Sequence, residues 1–477
     1  MGGGLLQLAS SGQIDNYLVG NPQISFYEYV FKRHTNFSME SRILDFISVN
    51  SNKLNRTSNT IKCKIGRHGD LLSKMYFCFT LPNVYSSDQY RFRWVENIGT
   101  IIMKKATITL NGSITIDELT GEWMNIWNEL TTVHENFDTL IGNVPEINNP
   151  KISNDRVTIK NNQFIYYYYP ESYKPNDIND QPKPSIPKRE IIVPLNFWFT
   201  KTPALALPLL RMQLYEIELT IELEESEKLY QVFSHDILTY TSPIYYNEIN
   251  SLSESNAISI NNFLDDNYDL NPYIDAKYIF LENEERLRIC YKPKITYLAE
   301  QVRYTTRTGI IQNERVEYNT NLPTKELVWV FRRDDIYNFN DFSNYSPTIP
   351  ESKKGIMVDA SINFYNNSRL ERKPEQYFNM IQPYENHTVV PKNGIYTYAF
   401  SLYPEKEILT GYYNGALFKT DIHVWVDPTN YDNDLKKKFE KINVEYNNIV
   451  NYNMSLYAYC YNLFEIIGGQ VNMKFAT

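Results

Sequence analysis

The chain has 477 residues, of which 42% are hydrophobic and 22% charged, and its formal net charge is −9. This length allows two large β domains or three smaller ones, each with its own core. Nucleic-acid binding depends on clustered Lys and Arg, and the longest basic run is only Lys436-Lys437-Lys438, so we expect no direct nucleic-acid contact. No apolar window reaches the roughly 20 residues of a membrane-spanning helix, and we recognise no signal peptide.

The segment YEYVFKRHTNFSME, near the N-terminus, combines aromatic residues with a short basic run. We predict that Tyr29, Phe31 and Phe37 anchor it in a core. His34 and Ser38 lie four residues apart, as a base and a nucleophile on a helix would. Because the sequence shows no acidic residue to orient the histidine, we do not predict a catalytic pair.

Alternating hydrophobicity predicts several β-strands. Residues 61–65 (IKCKI) and 75–81 (MYFCFTL) alternate or form short apolar runs between turn residues. The longest pattern is YEIELTIELE at 215–224, which predicts a strand with one buried and one wet face. Residues 441–446 (KINVEY) follow the same pattern.

Residues 105–116 (KATITLNGSITI) predict a β-hairpin around an Asn-Gly turn. A three-residue loop would pair Leu110 with Ile114 and Ile108 with Ile116, so that the apolar side chains share one face. A two-residue loop would put the apolar sets of the two strands on opposite faces. We therefore predict the three-residue loop.

One segment predicts a helix, because apolar residues from Leu119 to Leu130 recur at three- and four-residue steps. This spacing is typical of core packing. Three long polar stretches, 142–190, 227–276 and 333–355, are predicted loops. Loops of this length in a compact domain are usually functional or mobile.

The chain lacks the common catalytic motifs: it has no G-x-x-x-x-G-K-[ST] phosphate loop, no H-E-x-x-H and no G-x-S-x-G. The adjacent carboxylates Asp117-Glu118 and Glu284-Glu285 would point to opposite faces of a strand, not across a cleft as glycoside hydrolysis requires. We expect no enzymatic activity, no cofactor and no metal site. The cysteines are too scattered for a disulfide framework or a zinc site, and we expect reduced thiols at Cys63, Cys78, Cys290 and Cys460.

Six longer segments carry a resemblance that spans nearly the whole chain in order. They are the first 40 residues, IGRHGDLLSKMYFCFTLP, PLNFWFTKTPALALPLLRMQLYEIELTIELE, YIFLENEERLRICYKPKITYLAEQV, PYENHTVVPKNGIYTYAFSLYPE and VNYNMSLYAYCYNLFEIIGGQVNMKFA. Together they resemble the major capsid proteins of nucleocytoplasmic large DNA viruses. Two places depart from the family pattern: Pro404-Glu405 is followed by KEILTG where many members carry Gln-Pro-Ser-Gly, and the glycine-rich end is reduced to Gly468-Gly469.

The resemblance implies an all-β fold of two consecutive eight-stranded jelly rolls with long loops and a few short helices. It divides the chain into an N-terminal arm (1–24), a first jelly roll (25–225) and a second (226–477) that includes the linker and the C-terminal tail. The strand at 215–224 would end the first roll. The long loops would lie on the outer surface or at contacts between subunits.

The function implied is that of a structural major capsid protein in the virion capsid. Three chains would form a homotrimer with a pseudo-hexagonal outline, and trimers would tile an icosahedral shell beside neighbouring capsomers and minor capsid and penton proteins. Other proteins would connect this shell to an underlying internal membrane, and synthesis would take place in the host cytoplasm. We expect Leu5, Leu6 and Leu8 of the arm to order on minor capsid proteins or neighbouring capsomers. The start MGGGLL resembles a myristoylation signal, but Leu6 stands where that motif needs Ser or Thr, so we do not expect lipidation.

Two alternatives stay open on the sequence. A double jelly-roll scaffold protein, which shapes a membrane during virion assembly and then leaves, would show the same patterns. A glycan-binding β-sandwich would fit the 39 Tyr and 24 Phe, provided that they line an exposed groove.

Overall fold

The structure is a computed structural model that describes residues 2–9, 12, 19–47, 53–133, 135–153, 157–160, 164–173, 183–253, 255–265, 267–427, 433–441 and 450–475. Within these residues β-strands dominate, and the longest helix has 11 residues. None of the helices in the described ranges is both long and apolar enough to cross a membrane. All four cysteines are free thiols.

The first half of the chain forms two antiparallel four-stranded sheets. In chain order its strands are β1 (Phe37–Asp45), β2 (Asn59–Ile65), β3 (Leu71–Leu81), β4 (Arg93–Trp94), β5 (Met103–Leu110), β6 (Ile114–Thr120), β7 (Val157–Lys160), β8 (Phe164–Tyr167), β9 (Arg189–Pro194), β10 (Ile217–Leu223), β11 (Tyr230–Ser234), β12 (Thr239–Thr241) and β13 (Tyr273–Leu281). The main sheets have the orders β1-β13-β3-β9 and β2-β10-β5-β6. Two small sheets, β12-β11-β4 and β7-β8, lie in the connections.

The second half repeats this plan. Its strands are β14 (Lys294–Ile310), β15 (Asn313–Tyr318), β16 (Pro323–Arg333), β17 (Met357–Phe364), β18 (Asn367–Pro374), β19 (Ile395–Ala399), β20 (Tyr413–Asn414), β21 (Thr420–Val426), β22 (Tyr452–Ile467) and β23 (Gln470–Met473). The sheet orders are β14-β22-β16-β19 and β15-β21-β17-β18, with β20 added to β16 and β23 to β22.

The eight strands of the two main sheets, which we call the main strands, follow the same order in both halves of the chain. In each half the first, eighth, third and sixth strands form one sheet, and the second, seventh, fourth and fifth form the other. This order is that of a jelly roll, which packs two four-stranded sheets face to face. The predicted fold of two consecutive eight-stranded jelly rolls is confirmed. We call the two units the first roll and the second roll.

Short helices lie in the connections. They are α1 (Gly3–Ala9), α2 (Ile98–Ile101), α3 (Gly121–Thr131), α4 (Glu135–Ile141), α5 (Pro145–Asn148), α6 (Pro150–Ser153), α7 (Pro243–Ile249), α8 (Asn283–Tyr291), α9 (Gln382–Asn386) and α10 (Asn433–Lys441). A π-helical turn, Tyr377–Ile381, runs directly into α9, and we call the two together helical segment 377–386. Single 3₁₀ turns occupy Trp198–Thr200, Pro203–Leu205, Leu209–Arg211, Ser226–Lys228, Ile260–Asn262 and Asp334–Asn338.

The predicted domain boundary at residue 225 is too early. Strand β13 returns to the first roll and pairs with both β1 and β3. The first roll therefore extends to Leu281, and the acidic stretch 227–276 is a connection inside it that contains β11, β12 and α7. Strand β10 is the seventh main strand of the roll and not its last.

The amphipathic strand predicted at 215–224 is confirmed as β10. Ile217, Leu219, Ile221 and Leu223 are buried, and the residues between them are half-buried. The strand lies between β2 and β5. Of the other patterned segments, 61–65 and 75–81 fall in β2 and β3, whereas 441–446 lies outside the described residues except for the last residue of α10.

The hairpin prediction is correct at the turn and wrong further away. Leu110 pairs with Ile114, as the three-residue loop requires, but Ile108 lies opposite Asp117. Ile116 is the extra residue of a β-bulge, which shifts the register by one position. The bulge keeps Ile116 and Ile108 fully buried and turns Asp117 inward as well.

Candidate assembly surfaces

The two rolls meet at an aromatic layer on helix α3. Thr120 caps this helix by accepting a hydrogen bond from the Trp123 backbone N–H at 3.2 Å. The ring of Trp123 lies 5.3 Å from that of Tyr457, and the ring of Trp127 lies 4.9 Å from that of Tyr459, centroid to centroid. Both tyrosines belong to β22 of the second roll. The predicted helix therefore packs across the contact between the two rolls, which we call the seam, and not only inside its own roll.

A buried ion-pair cluster lies beside this layer. Glu300 of the second roll accepts from Lys201 of the first roll at 2.5 Å, from the Tyr459 hydroxyl at 2.5 Å, and from Lys325. Burial works against ionisation of Glu300, but the two ammonium groups outweigh it and lower its pKa. Burial lowers the pKa of Lys325 to about 8 despite the attraction of Glu300. Since removing one partner would leave another charge buried and unpaired, this cluster resists separation of the rolls.

His387 forms a second buried polar group at the seam. Its Nε2 lies 2.6 Å from a Glu326 carboxylate oxygen and its Nδ1 lies 3.1 Å from Glu405. Burial alone would lower the pKa of His387, but the two carboxylates outweigh it and raise the pKa to about 9. The imidazolium side chain faces the edge of Trp127 at 6.1 Å between centroids. A protonated histidine thus lies between two carboxylates of the second roll and Trp127 of α3.

The sequence also singled out the polar residues His34, Ser38 and Asp117. Ser38 lies in exposed strand β1, and His34 contacts the Thr35 carbonyl at 2.8 Å. Asp117 is buried and accepts from the backbone N–H of Trp198 at 3.0 Å, and burial raises its pKa to about 7. In the part of the chain that the structure describes, no three His, Cys, Asp or Glu side chains converge as metal ligands would.

The predicted core anchors are wrong for the single chain. Tyr29, Phe31 and Phe37 are 91%, 69% and 50% exposed, and every described residue before Leu44 is exposed. The reason is topological: β1 is the edge strand of its sheet, Phe37 lies on the face opposite to buried Leu44, and no described residue before β1 is buried. Leu5, Leu6 and Leu8 lie on α1, which has no buried residue. The described residues of the N-terminal region therefore expose several large apolar side chains.

A second apolar surface lies on helical segment 377–386. Met380 and Ile381 are about half exposed and Tyr384 is 79% exposed. Phe378 is fully buried and packs on Trp329, so the segment is seated on its own roll while Met380, Ile381 and Tyr384 remain exposed.

Sequence reasoning missed the residues of the seam. Glu300, Lys201 and His387 stand in unremarkable contexts, and only their tertiary neighbours reveal their roles. One signal was available: Lys325-Glu326 runs directly into the apolar LVWVF of β16. Charges at the start of a buried strand must find partners.

Two family models together match most of the chain. Residues 25–282 match the model described as the major capsid protein N-terminus, and residues 285–471 match that described as the large eukaryotic DNA virus major capsid protein. The chain belongs to the major capsid protein family of large eukaryotic DNA viruses. Its role is structural, as part of a virion capsid. The division between the two models coincides with the end of β13.

Relatives of similar length support this family assignment. The probable capsid protein 4 of Acanthamoeba polyphaga mimivirus is 26% identical over 84% of this chain and 88% of its own length. The major capsid protein of Phaeocystis pouchetii virus is 25% identical, covering 86% of this chain and 90% of the relative.

Solved capsid proteins share the fold. VP54 of PBCV-1 superposes with a TM-score of 0.67 at 18% identity, over 95% of this chain and all of VP54. The Faustovirus major capsid protein gives a TM-score of 0.65 at 12% identity, over 95% of this chain and 94% of that protein. At these identities the likeness concerns the fold alone.

Proposed function

We propose that this major capsid protein forms homotrimers and that the trimers tile an icosahedral shell. Each chain supplies two similar rolls, so three chains supply six and approximate a hexagonal outline with threefold symmetry. Such an outline suits a flat lattice of repeated contacts between neighbouring capsomers. Minor capsid and penton proteins complete the shell, other proteins connect it to an internal membrane, and the chain is made in the host cytoplasm.

The observation that carries this proposal is the contrast between the seam and the outer surfaces. Inside the chain, the rolls are held together by an aromatic layer and buried ion pairs, as a rigid building block requires. Outside, the N-terminal region and helical segment 377–386 expose apolar side chains such as Tyr29, Phe31 and Tyr384. Contiguous exposed apolar surface commonly marks a protein contact.

The oligomeric state of the purified protein tests the proposal. Multi-angle light scattering should give three times the chain mass of 56.2 kDa, and negative-stain electron microscopy should show particles with a hexagonal outline. A particle of one or two chains at micromolar concentration would contradict it. Finding the protein in mature virions would separate a shell protein from a scaffold protein that leaves during assembly.

A further inference from the structure

The second roll has an open side between its two sheets. Strand β14 is an edge strand of one sheet, and β15 is an edge strand of the other. A cavity of about 440 Å³ lies between β14 and the end of β15, and we call it the β14–β15 cavity. Its volume is typical of sites for small molecules. Both sides supply polar residues to its lining: Arg303, Thr305, Tyr318, Asn319, Thr320 and Asn321.

Arg303 brings an uncompensated positive charge to this cavity. The residue is half-buried, and its guanidinium group forms no hydrogen bond and no ion pair with any residue that the structure describes. Two other arginines of the second roll are paired. Arg307, on the same strand, lies 2.5 Å from Glu314, and Arg332 lies 3.1 Å from Glu122. Because a half-buried charge without a partner is costly, Arg303 is poised to accept an anion from outside the chain.

The two carboxylates near Arg303 do not serve as that anion. Asp117 is buried in the first roll and already accepts two backbone hydrogen bonds. Burial raises the pKa of Asp117 to about 7 despite the attraction of Arg303, and the two groups form no ion pair. Glu317 also lines the cavity, but it precedes inward-facing Tyr318 on β15, so its side chain points to the other face of the strand. There it is 65% exposed and lies 3.9 Å from Arg315.

The Tyr318 hydroxyl is a second donor that lacks an acceptor. The residue is 4% exposed, and among the described residues its buried hydroxyl has no hydrogen-bond partner of normal geometry. The nearby Thr320 hydroxyl already accepts from the Leu322 backbone N–H at 3.1 Å. Burial raises the pKa of Tyr318, so the phenol keeps its proton and is available as a donor. The cavity therefore offers a positive charge and a buried donor, and it lacks a negatively charged acceptor.

We infer that the β14–β15 cavity binds the phosphate group of a small phosphorylated molecule. The Arg303 guanidinium pairs with the phosphate through its N–H groups, and the Tyr318 hydroxyl donates from the buried side. Asn319 and Asn321 are exposed, and their amide groups add donors on the solvent side.

The placement of the donors favours a tetrahedral anion. They reach the cavity from two sides, from β14 and from the residues at the end of β15. The several oxygens of a phosphate group can accept from both sides at once, whereas a planar carboxylate has only two. The bound group connects the edges of the two sheets across the open side of the second roll. This inference goes beyond the proposed trimer and does not depend on it.

Isothermal titration calorimetry of the full-length protein tests the inference. The probes are inorganic phosphate, which represents the free ion, and O-phospho-L-serine, which represents a phosphate carried by a larger molecule. Both are titrated in a chloride buffer of constant ionic strength, and we expect one saturable site per chain. The probe that binds more tightly identifies the source of the phosphate. Acetate, a planar carboxylate, should bind about tenfold more weakly than either probe.

Three variants locate the binding. Arg303→Gln should weaken phosphate binding by about tenfold or more, because a charged hydrogen-bond donor is lost. Tyr318→Phe removes one oxygen atom and should weaken binding by roughly fivefold. Arg307→Gln is the matched control on the same strand and should bind as the parent does, because Arg307 is paired with Glu314. Circular dichroism checks the fold of each variant, and if Arg303→Gln does not fold, Tyr318→Phe carries the test.

Four outcomes overturn the inference. The parent may show no saturable binding of either probe at millimolar concentration. Arg303→Gln and Arg307→Gln may weaken binding equally, which assigns the binding to general surface charge. Binding may be unchanged in both Arg303→Gln and Tyr318→Phe, which places the phosphate elsewhere on the chain. Acetate may bind as tightly as phosphate, which makes the site one for carboxylates.

Discussion

His387 gives the seam a measurable pH dependence. Its pKa of about 9 in the folded chain lies above the ordinary value of 6.5, so its stabilisation is complete below pH 6.5 and is lost as the pH rises through 9. We expect His387→Gln to lower the free energy of unfolding at pH 6, with a pH-dependent part of about 3 kcal/mol that disappears by pH 10. Urea unfolding at both pH values measures this difference.

The comparison of variant with parent removes the common contribution of other groups, including Lys325, whose own pKa is shifted. Exposed His34→Gln is the matched control and should change little at either pH. A deficit in His387→Gln that stays the same from pH 6 to pH 10 would show that folding does not raise the pKa of this histidine.

At the scale of single residues, the sequence predicted little of the site. Aromatic residues such as Tyr29 and Phe31 suit a core or a contact between chains equally well, and composition does not distinguish the two. The buried charges were also beyond reach, because Lys201 and Glu300 are 99 positions apart in the sequence and meet only through the fold. Their partnership is a property of tertiary structure.

At the scale of elements, α3 is where the two rolls are joined. Trp127 contacts Tyr459 and the His387 ring, so we expect Trp127→Ala to cost about 3–5 kcal/mol, typical of a large buried aromatic side chain. We also expect the parent to unfold in one calorimetric transition and that of the variant to broaden or split, because the rolls lose part of their shared core. Val133→Ala, two residues beyond α3 and exposed, should leave the transition unchanged. A sharp, unshifted transition in Trp127→Ala would mean that other contacts couple the rolls.

Elements with strong local periodicity were predictable, and long-range pairing was not. The alternation in β10 and the helical spacing in α3 each reflect one buried face, which a short window reveals. The β-bulge at Ile116 has no such signature, since Ile108 and Ile116 lie inside both in the predicted register and in the register shifted by the bulge. The return of β13 to β1 and β3 is set by pairing across more than 190 residues, so the sequence suggested a boundary at the end of the β10 pattern instead.

At the scale of the whole molecule, the N-terminal arm should matter for assembly and not for folding. Every described residue of the arm is exposed, so deleting residues 1–20 should leave the melting temperature unchanged. We expect shell assembly to fall, because Leu5, Leu6 and Leu8 lose the partner surface that would bury them. Particle yield from cells expressing the capsid components measures this effect. A Leu5→Ser/Leu6→Ser/Leu8→Ser variant keeps the full length of the arm and therefore separates the loss of apolar contact from the shortening of the arm. A normal particle yield in both variants would exclude an assembly role for the arm.

The open edge of β1 has a consequence for the newly made chain. An edge strand with exposed Phe37, Met39 and Ile43 is a template on which any other extended chain can add, so the free protein carries an aggregation hazard until its surface is covered. Glu40 and Arg42 interrupt the apolar residues along this strand, and charges in such positions slow uncontrolled strand addition. The nine residues of β1 must therefore leave the free chain soluble before assembly and still bind a partner during it.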